Sequence, residues 1–582
     1  MKNPALIPFI LPDMWHEAQS GAVDLRAPSH IETKTAFERL GAEKTTGAYA
    51  FFIDGLDEFA GNHRDGILFV KDLVASTNIK IVVSSRPIDT CFAAFSSAPN
   101  LRLQDLTASD ISRYINDTVQ SHTCSTNYSA ASLGALVSDI RSKADGVFLW
   151  VVLACRTLLE GFEAYDSVEE LRRRVDELPP ELEDLFRHIL NGLPTRYLQQ
   201  AAQLLRVCYI HRSLRIEHEI SAVTLAWAHE KNMEIRAMED FAESSFDERQ
   251  TRTTMFEGRL RSRCRGLLEV YRLTDSSDTH IDFMHRTVFE FLSTPSVWDL
   301  DCLHISDYAF DASTVLAYMS CYALYNEGLG DTVKDDIFFW NASAYAREAE
   351  KNSPSAMSRL LNHLAFASLC GKNDKKSSLS LVSDLSLDTS AVLLAIELGL
   401  ATYAQRLDLK RFKVLKKLEG GREIFKYSLL YHAFMKALLT TRKLISSNFP
   451  CSPGMIDLLI RASGDPNESI ALSESDTRTC WGTWMESEHM VFKGAVRALE
   501  AAELTMIMIR AGAVFIHPNA DDPATGVAHI AKKDHRGRLR DAVDEWLKWA
   551  HRLSSLQDRV RLEGLCDEIT AAVAASYQTK SS

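Results

Sequence analysis

The sequence predicts an α/β sheet at the start of the chain, followed by a long helical remainder interrupted by one β-hairpin. Three observations lead there. The run Ala50-Phe51-Phe52-Ile53 is apolar, aromatic and β-branched, and it ends abruptly in Asp54-Gly55-Leu56-Asp57-Glu58. Ile79-Lys80-Ile81-Val82-Val83 repeats the pattern and runs into Ser84-Ser85-Arg86-Pro87. Beyond these two runs, apolar residues recur mostly at helical spacing, and one pair of segments alternates instead.

Each apolar run reads as a strand buried on both faces, the kind found inside a parallel sheet. Between them, Ile67, Leu68, Val70, Lys71, Leu73 and Val74 give a helical apolar face. Strand, helix, strand over that length predicts a right-handed βαβ unit. Asp54, Asp57 and Glu58 then emerge at the carboxyl end of the first strand, where open α/β sheets place their ligands, and Arg86 sits beside them. One such acid can hold Mg²⁺ through water and another can orient a water toward a phosphate. The plainer alternative is a strand ending in a solvated turn, because Asp-Gly is a common turn pair.

Past the sheet, Thr107-Ala108-Ser109-Asp110 reads as a capping box, with Ile111, Tyr114, Ile115 and Val119 following at helical spacing. Cys124 to Ser129 is polar and predicts a loop, and Leu133 to Leu159 is helical again. Ser167-Val168-Glu169-Glu170 starts a further helix with the same box, and Arg172-Arg173-Arg174 reads as its solvated face. Pro179-Pro180 ends that helix and opens the next, Glu181 to Leu193. Ala201 to Ile210 and Ile220 to Trp227 predict two more helices, and Ser245 to Thr253 a polar, mobile insert. Arg263 to Val270 alternates into a strand, Thr274 to Asp278 turns, and Ile281-Asp282-Phe283-Met284 is the partner strand of a hairpin. The hairpin delivers His285 and the segment Arg286 to Leu292.

Several of these strings, taken in order, resemble the NACHT domain of STAND-type signalling NTPases, particularly the large fungal set. They are Phe52-Ile53-Asp54-Gly55-Leu56-Asp57-Glu58-Phe59, Val83-Ser84-Ser85-Arg86-Pro87 and Leu103-Gln104-Asp105-Leu106-Thr107. Lys143-Ala144-Asp145-Gly146-Val147-Phe148-Leu149-Trp150 and Leu178-Pro179-Pro180-Glu181-Leu182 continue the series, which covers roughly the first half of the chain. The resemblance implies a partial P-loop NTPase sheet over 1–122, a helical subdomain over 123–195 and a winged-helix domain over 196–300. It gives Asp54 the Mg²⁺ side, Asp57 or Glu58 the attacking water, Arg86 a phosphate-sensing role, and His285 a lid contact to the β-phosphate of ADP.

The nucleotide loop of such a domain is missing from this sequence. No Gly-x-x-x-x-Gly-Lys-Ser/Thr string occurs, and the only Gly-Lys pair, Gly371-Lys372, is followed by Asn373. Backbone N–H groups and a lysine in that loop cradle the β- and γ-phosphates, so without it Asp54 has little to hold the nucleotide beside. The chain is therefore expected to begin inside the domain, as a truncated gene product or a degenerate relative. The first reading is a NACHT-derived signalling and interaction protein with no ATPase activity and no cofactor of its own. The second is an active ATP/ADP switch of the NLR-like kind, acting in non-self recognition or cell death, with Mg-ATP held by a P-loop upstream of Met1.

Residues 301–582 are expected to be helical, with weak ankyrin-like text or an irregular helical domain as the two readings. Ala395 to Leu400, Leu458 to Asn467 and Met508 to Ala513 carry that text, and the two Ile-Arg-Ala triplets stand 49 residues apart. Trp481, Trp484, Trp546 and Trp549 read as core before partner anchors. This region is the expected surface for protein partners, with oligomerisation open. A formal charge of −13 argues against a nucleic-acid partner. No apolar run is long enough to span a bilayer, and eleven scattered cysteines without a Cys-x-x-Cys pair suit a reducing, cytoplasmic setting. Cys264, between two arginines, invites a depressed thiol pKa, with burial as the stronger expectation.

Overall fold

The computed structural model describes residues 6–19, 28, 30–42, 48–59, 62–75, 78–86, 88–121, 128–144, 146–216, 218–230, 235–272, 279–327, 332–370, 387–412, 415–419, 422–430, 432–433, 452–462, 464–473, 476–486, 495–513, 536–550, 553 and 555–578. They are mostly helical, with small sheets, and divide into Met1–Val175 and Asp176–Ser582. The division falls inside the segment 123–195.

In the first unit, α1 (Ile7–Ile10), α2 (Pro12–Gln19) and α3 (His30–Ala42) precede β1 (Tyr49–Ile53). α4 (His63–Val74), capped by the Asn62 side chain accepting from Arg64 N at 3.0 Å, leads to β2 (Ile79–Val83). The two strands pair in parallel, Phe51 opposite Ile81 and Ile53 opposite Val83. Ile53, Ile81 and Val83 pack against Ile67 and Val70 of α4 and Cys91 of α5 (Asp89–Phe95), while Tyr49 and Phe51 pack with Ile10, Ala36 and Leu40.

Burial on both faces, the expectation for these strands, does not hold. Phe52 is 80% exposed and Val82 58%, because the side chains alternate and these two sit on the face opposite the packed helices. An apolar run reports that a strand is hydrophobic, and the number of layers over it is a separate matter.

α6 (Leu103–Ser121), α7 (Ala130–Ala144), α8 (Phe148–Glu163) and α9 (Val168–Glu177) complete this unit around Ile115, Leu136, Ile140 and Trp150, all fully buried. The predicted capping box at Thr107 is corrected. α6 already starts at Leu103, and the Thr107 hydroxyl donates back to the Leu103 carbonyl at 3.3 Å, inside the helix. The box at Ser167 does form. Ser167 N donates to the Glu170 carboxylate at 2.6 Å and Glu170 N to the Ser167 hydroxyl at 3.3 Å. The Ser167 N–H accordingly holds the Glu170 carboxyl below its ordinary pKa.

The second unit opens with α10 (Leu182–Asn191) and α11 (Thr195–Ser213), then β3 (Ile220–Ser221), α12 (Ala222–Glu230), α13 (Ile235–Glu243) and α14 (Phe246–Cys264). The antiparallel hairpin β4 (Leu268–Arg272) and β5 (Thr279–Phe283) follows, with β3 on the far side of β5, and then α15 (Arg286–Leu292). The expected turn Thr274 to Asp278 lies outside the described residues.

Two expectations fail here for one reason. Ser245 to Thr253 is no insert: the Ser245 hydroxyl accepts from Glu248 N at 3.2 Å and caps the 19-residue α14. Arg263 and Cys264 belong to the end of that helix, and the strand begins only at Leu268, after Arg265 and Gly266 turn the chain at positive φ. Thr253, Phe256, Leu260 and Cys264 form the buried stripe, but the arginines and acids between them mask the helical period.

Beyond α15, the helices Ala312–Glu327, Thr332–Asn352 and Met357–Cys370 stack, the first buried nearly all round from Val315 to Tyr322. A larger core then gathers Leu393, Ile396, Met455, Trp481, Trp484, Leu504, Trp546 and Ile569. Trp481, Trp484 and Trp546 are core residues, and the Trp549 side chain lies outside the described set. Two of the three repeat-like strings end a helix in the same way. After Glu397, Leu400 N donates to Ala395 O and Gly399 N to Ile396 O, with Gly399 at φ 70°. After Arg510, Ala513 N donates to Met508 O and Gly512 N to Ile509 O, with Gly512 at φ 89°. Both are Schellman closures of an α-helix, which demand the same short apolar-then-glycine text wherever they occur.

Candidate functional site

The site grows out of the paired ends of β1 and β2. Ser84 N donates to Ile53 O at 2.8 Å and Leu56 N to Ser84 O at 2.9 Å, so the ladder outlasts the strands by one step. Gly55 takes φ 70° and ψ 50°, a left-handed turn that a side chain would strain, and aims its N–H at the Ser84 hydroxyl, 3.0 Å away. That hydroxyl in turn donates to Asp54 Oδ1. The Asp-Gly pair is therefore both a turn and the anchor of an acid at a sheet edge.

A short 3₁₀ turn, Leu56–Glu58, then carries Asp57 back toward the second strand. Arg86 N donates to Asp57 Oδ1 at 3.0 Å, and Arg86 Nε lies 3.6 Å from Asp57 Oδ2. The Asp57 side chain is 10% exposed and that of Arg86 55%, so the carboxylate is largely withdrawn while the guanidinium reaches outward. His63 Nε2 donates to the Asp57 carbonyl at 2.9 Å, and since a carbonyl only accepts, the proton sits on Nε2.

The structure thus brings Asp54, Asp57 and Arg86 to one edge. Glu58 stands in the same turn, and its side chain lies outside the described residues. His285 belongs to the second unit, where it is exposed and caps α15: its Nδ1 accepts from Thr287 N at 3.2 Å. With Nδ1 used as the cap's acceptor, Nε2 is the ring's donor. Ser84 and His63 were not legible as site residues. Ser84 stood inside the quoted Val-Ser-Ser-Arg-Pro string, but its hydroxyl acquires a role only once the strands are in register.

A resident Mg²⁺ fits this edge poorly. Asp54 is an exposed carboxylate with one oxygen engaged by Ser84, and Asp57 is tied to Arg86. Mg²⁺ asks for six oxygens in near-octahedral geometry, and phosphates normally complete such a set. Elsewhere, burial pushes the thiols of Cys155, Cys264 and Cys566 up to about 12, at Cys264 against the opposing pull of Arg263. Among the described residues, no helix is long and apolar enough to cross a membrane.

Residues 192–323, from the end of α10 into the helix after α15, match a family model described as a domain of unknown function, DUF7791. The match covers less than half of the chain. No curated protein and no solved structure matches it.

Proposed function

We propose that this chain is a NACHT-derived signalling and interaction protein whose acidic sheet edge keeps the architecture of a nucleotide site without its nucleotide chemistry. The observation that carries the reading is the Asp57–Arg86 pairing at the ends of two parallel strands, one step from Asp54 on Ser84. In a working site the water-orienting acid and the phosphate-sensing arginine serve the nucleotide. Here they serve each other.

The second unit supports the same derivation. Helix α11, strand β3, helices α12 to α14 and the β4–β5 hairpin, with β3 paired beside β5, are compatible with a winged helix that carries one additional helix. His285 at the head of α15 caps through Nδ1, which leaves Nε2 as the donor for a lid contact to phosphate. The region after residue 300 is not helical throughout, since Leu415–Glu419 pairs with Arg422–Tyr427 and Ser469–Ser473 with Asp476–Thr479 in two antiparallel hairpins. It is the proposed protein-binding part, in a cytoplasmic setting suited to thiols that are free and buried among the described residues.

Calorimetric titration of the full chain with Mg·ATP tests the reading. The expected result is no binding tighter than about millimolar, on the order of 4 kcal/mol. Micromolar binding lost on Asp54→Ala would restore the active-switch reading in its place.

A further inference from the structure

A cavity of about 500 Å³ opens in the second unit between α11, α12 and α14, lined by Gln200, Gln203, Leu204, His229, Phe256, Arg259 and Arg263. It lies entirely within the segment 192–323 and owes nothing to the acidic edge of the first unit. Helical spacing assembles it: Gln200, Gln203 and Leu204 share a face of α11, and Phe256, Arg259 and Arg263 share one of α14. Leu204 and Phe256, each 1% exposed, give it an apolar floor.

Its polar lining is one-sided. Two arginines and two glutamines line it, and no carboxylate is among the described lining residues. Arg263 is held in place, with Nε donating to Gln200 Oε1 and its guanidinium 4.7 Å above the Tyr197 ring. His229 is part of the lining, and its Nε2 is buried with no hydrogen-bond partner among the described residues. Burial, together with Arg259 and Arg263, pushes that ring down to about 4, so it meets the cavity as a neutral imidazole. A buried polar atom without a partner is costly to leave so, and a ligand atom is one way to satisfy it.

We propose that this cavity binds a small organic anion: a phosphate or carboxylate group set between Arg259 and Arg263, with an apolar body against Leu204 and Phe256. The volume is that of a small-molecule site, and an apolar floor with a few convergent polar groups is how such sites fix orientation. The planar forks of the arginines match either oxyanion. The Gln203 carboxamide and His229 Nε2 supply the neutral hydrogen bonds.

Isothermal titration of the full chain with phenyl phosphate, and separately with inorganic phosphate, tests this. Phenyl phosphate is expected to saturate one site and to bind about tenfold tighter than inorganic phosphate, the difference being its apolar body. The double variant Arg259→Gln, Arg263→Gln is expected to lose at least about tenfold in affinity. Should that variant misfold, Gln203→Glu, close in size and half-buried, places a repelling carboxylate in the cavity and carries the same expectation. Absence of saturable binding by either probe, or binding that survives these changes, overturns the proposal.

Discussion

Asp57 shows how a single carboxylate can be spent twice. One oxygen accepts the Arg86 backbone N–H at 3.0 Å and the other faces its guanidinium at 3.6 Å, in a pocket that leaves the acid 10% exposed. Asp57→Asn keeps an oxygen for the backbone N–H and loses the charge, whereas Asp57→Ala loses both. The alanine variant should therefore destabilise this edge by about 1–2 kcal/mol and the asparagine variant by about half as much. Hydrogen exchange of the amides of 79–86 measures this locally; equal protection in both variants and the parent would show that the pairing holds nothing. His285 makes the complementary point, since capping α15 through Nδ1 and donating through Nε2 are compatible uses of one ring.

At the scale of elements, close packing sets sharp tests. Gly161 lies in α8, and a Cβ there would stand 2.6 Å from Cδ2 of Leu171, a fully buried side chain of α9. Gly161→Ala should cost about 1–3 kcal/mol through overpacking, read as a lowered denaturation midpoint of the first unit. An unchanged midpoint would mean that α8 and α9 do not meet as described. The same scale explains what could be read in advance. β1, β2 and the Ser167 box were legible because an unbroken run of apolar, β-branched and aromatic residues and a reciprocal Ser–Glu pair are local signals. The outward turn of Phe52 and Val82 was not, because such a run does not say how many layers cover a sheet. α14 hid behind its own charges, and with it went the shared face of Phe256, Arg259 and Arg263. The Asp57–Arg86 contact was legible only as proximity; that the two bind each other is a tertiary fact.

For the whole molecule, the two units carry different sensitivities. His211, against the Tyr345 hydroxyl at 2.6 Å, and His229 both belong to the second unit, and burial pushes each down to about 4. Their unfolded forms take up protons near pH 6.5, so between there and pH 4 the unfolded chain binds more protons than the native one. Stability is therefore complete above pH 6.5 and falls as pH drops through that window, by on the order of 3 kcal/mol for each histidine. Urea midpoints of the second unit at pH 7 and pH 4.5 should differ accordingly, and His211→Phe should flatten the difference; a midpoint independent of pH would contradict the burial of both rings. The functional account depends on the first unit, and there on the parallel register that sets Phe52 opposite Val82 and so brings Asp54, Asp57 and Arg86 to one rim. Phe52→Cys with Val82→Cys, treated in the full chain with a short thiol-to-thiol cross-linker and mapped by peptide mass spectrometry, tests that register directly. The pair should join readily, and Phe52→Cys with Lys80→Cys, one diagonal away on the same face, distinctly less. Equal yields in the two variants, or no joined 52–82 peptide, would contradict it.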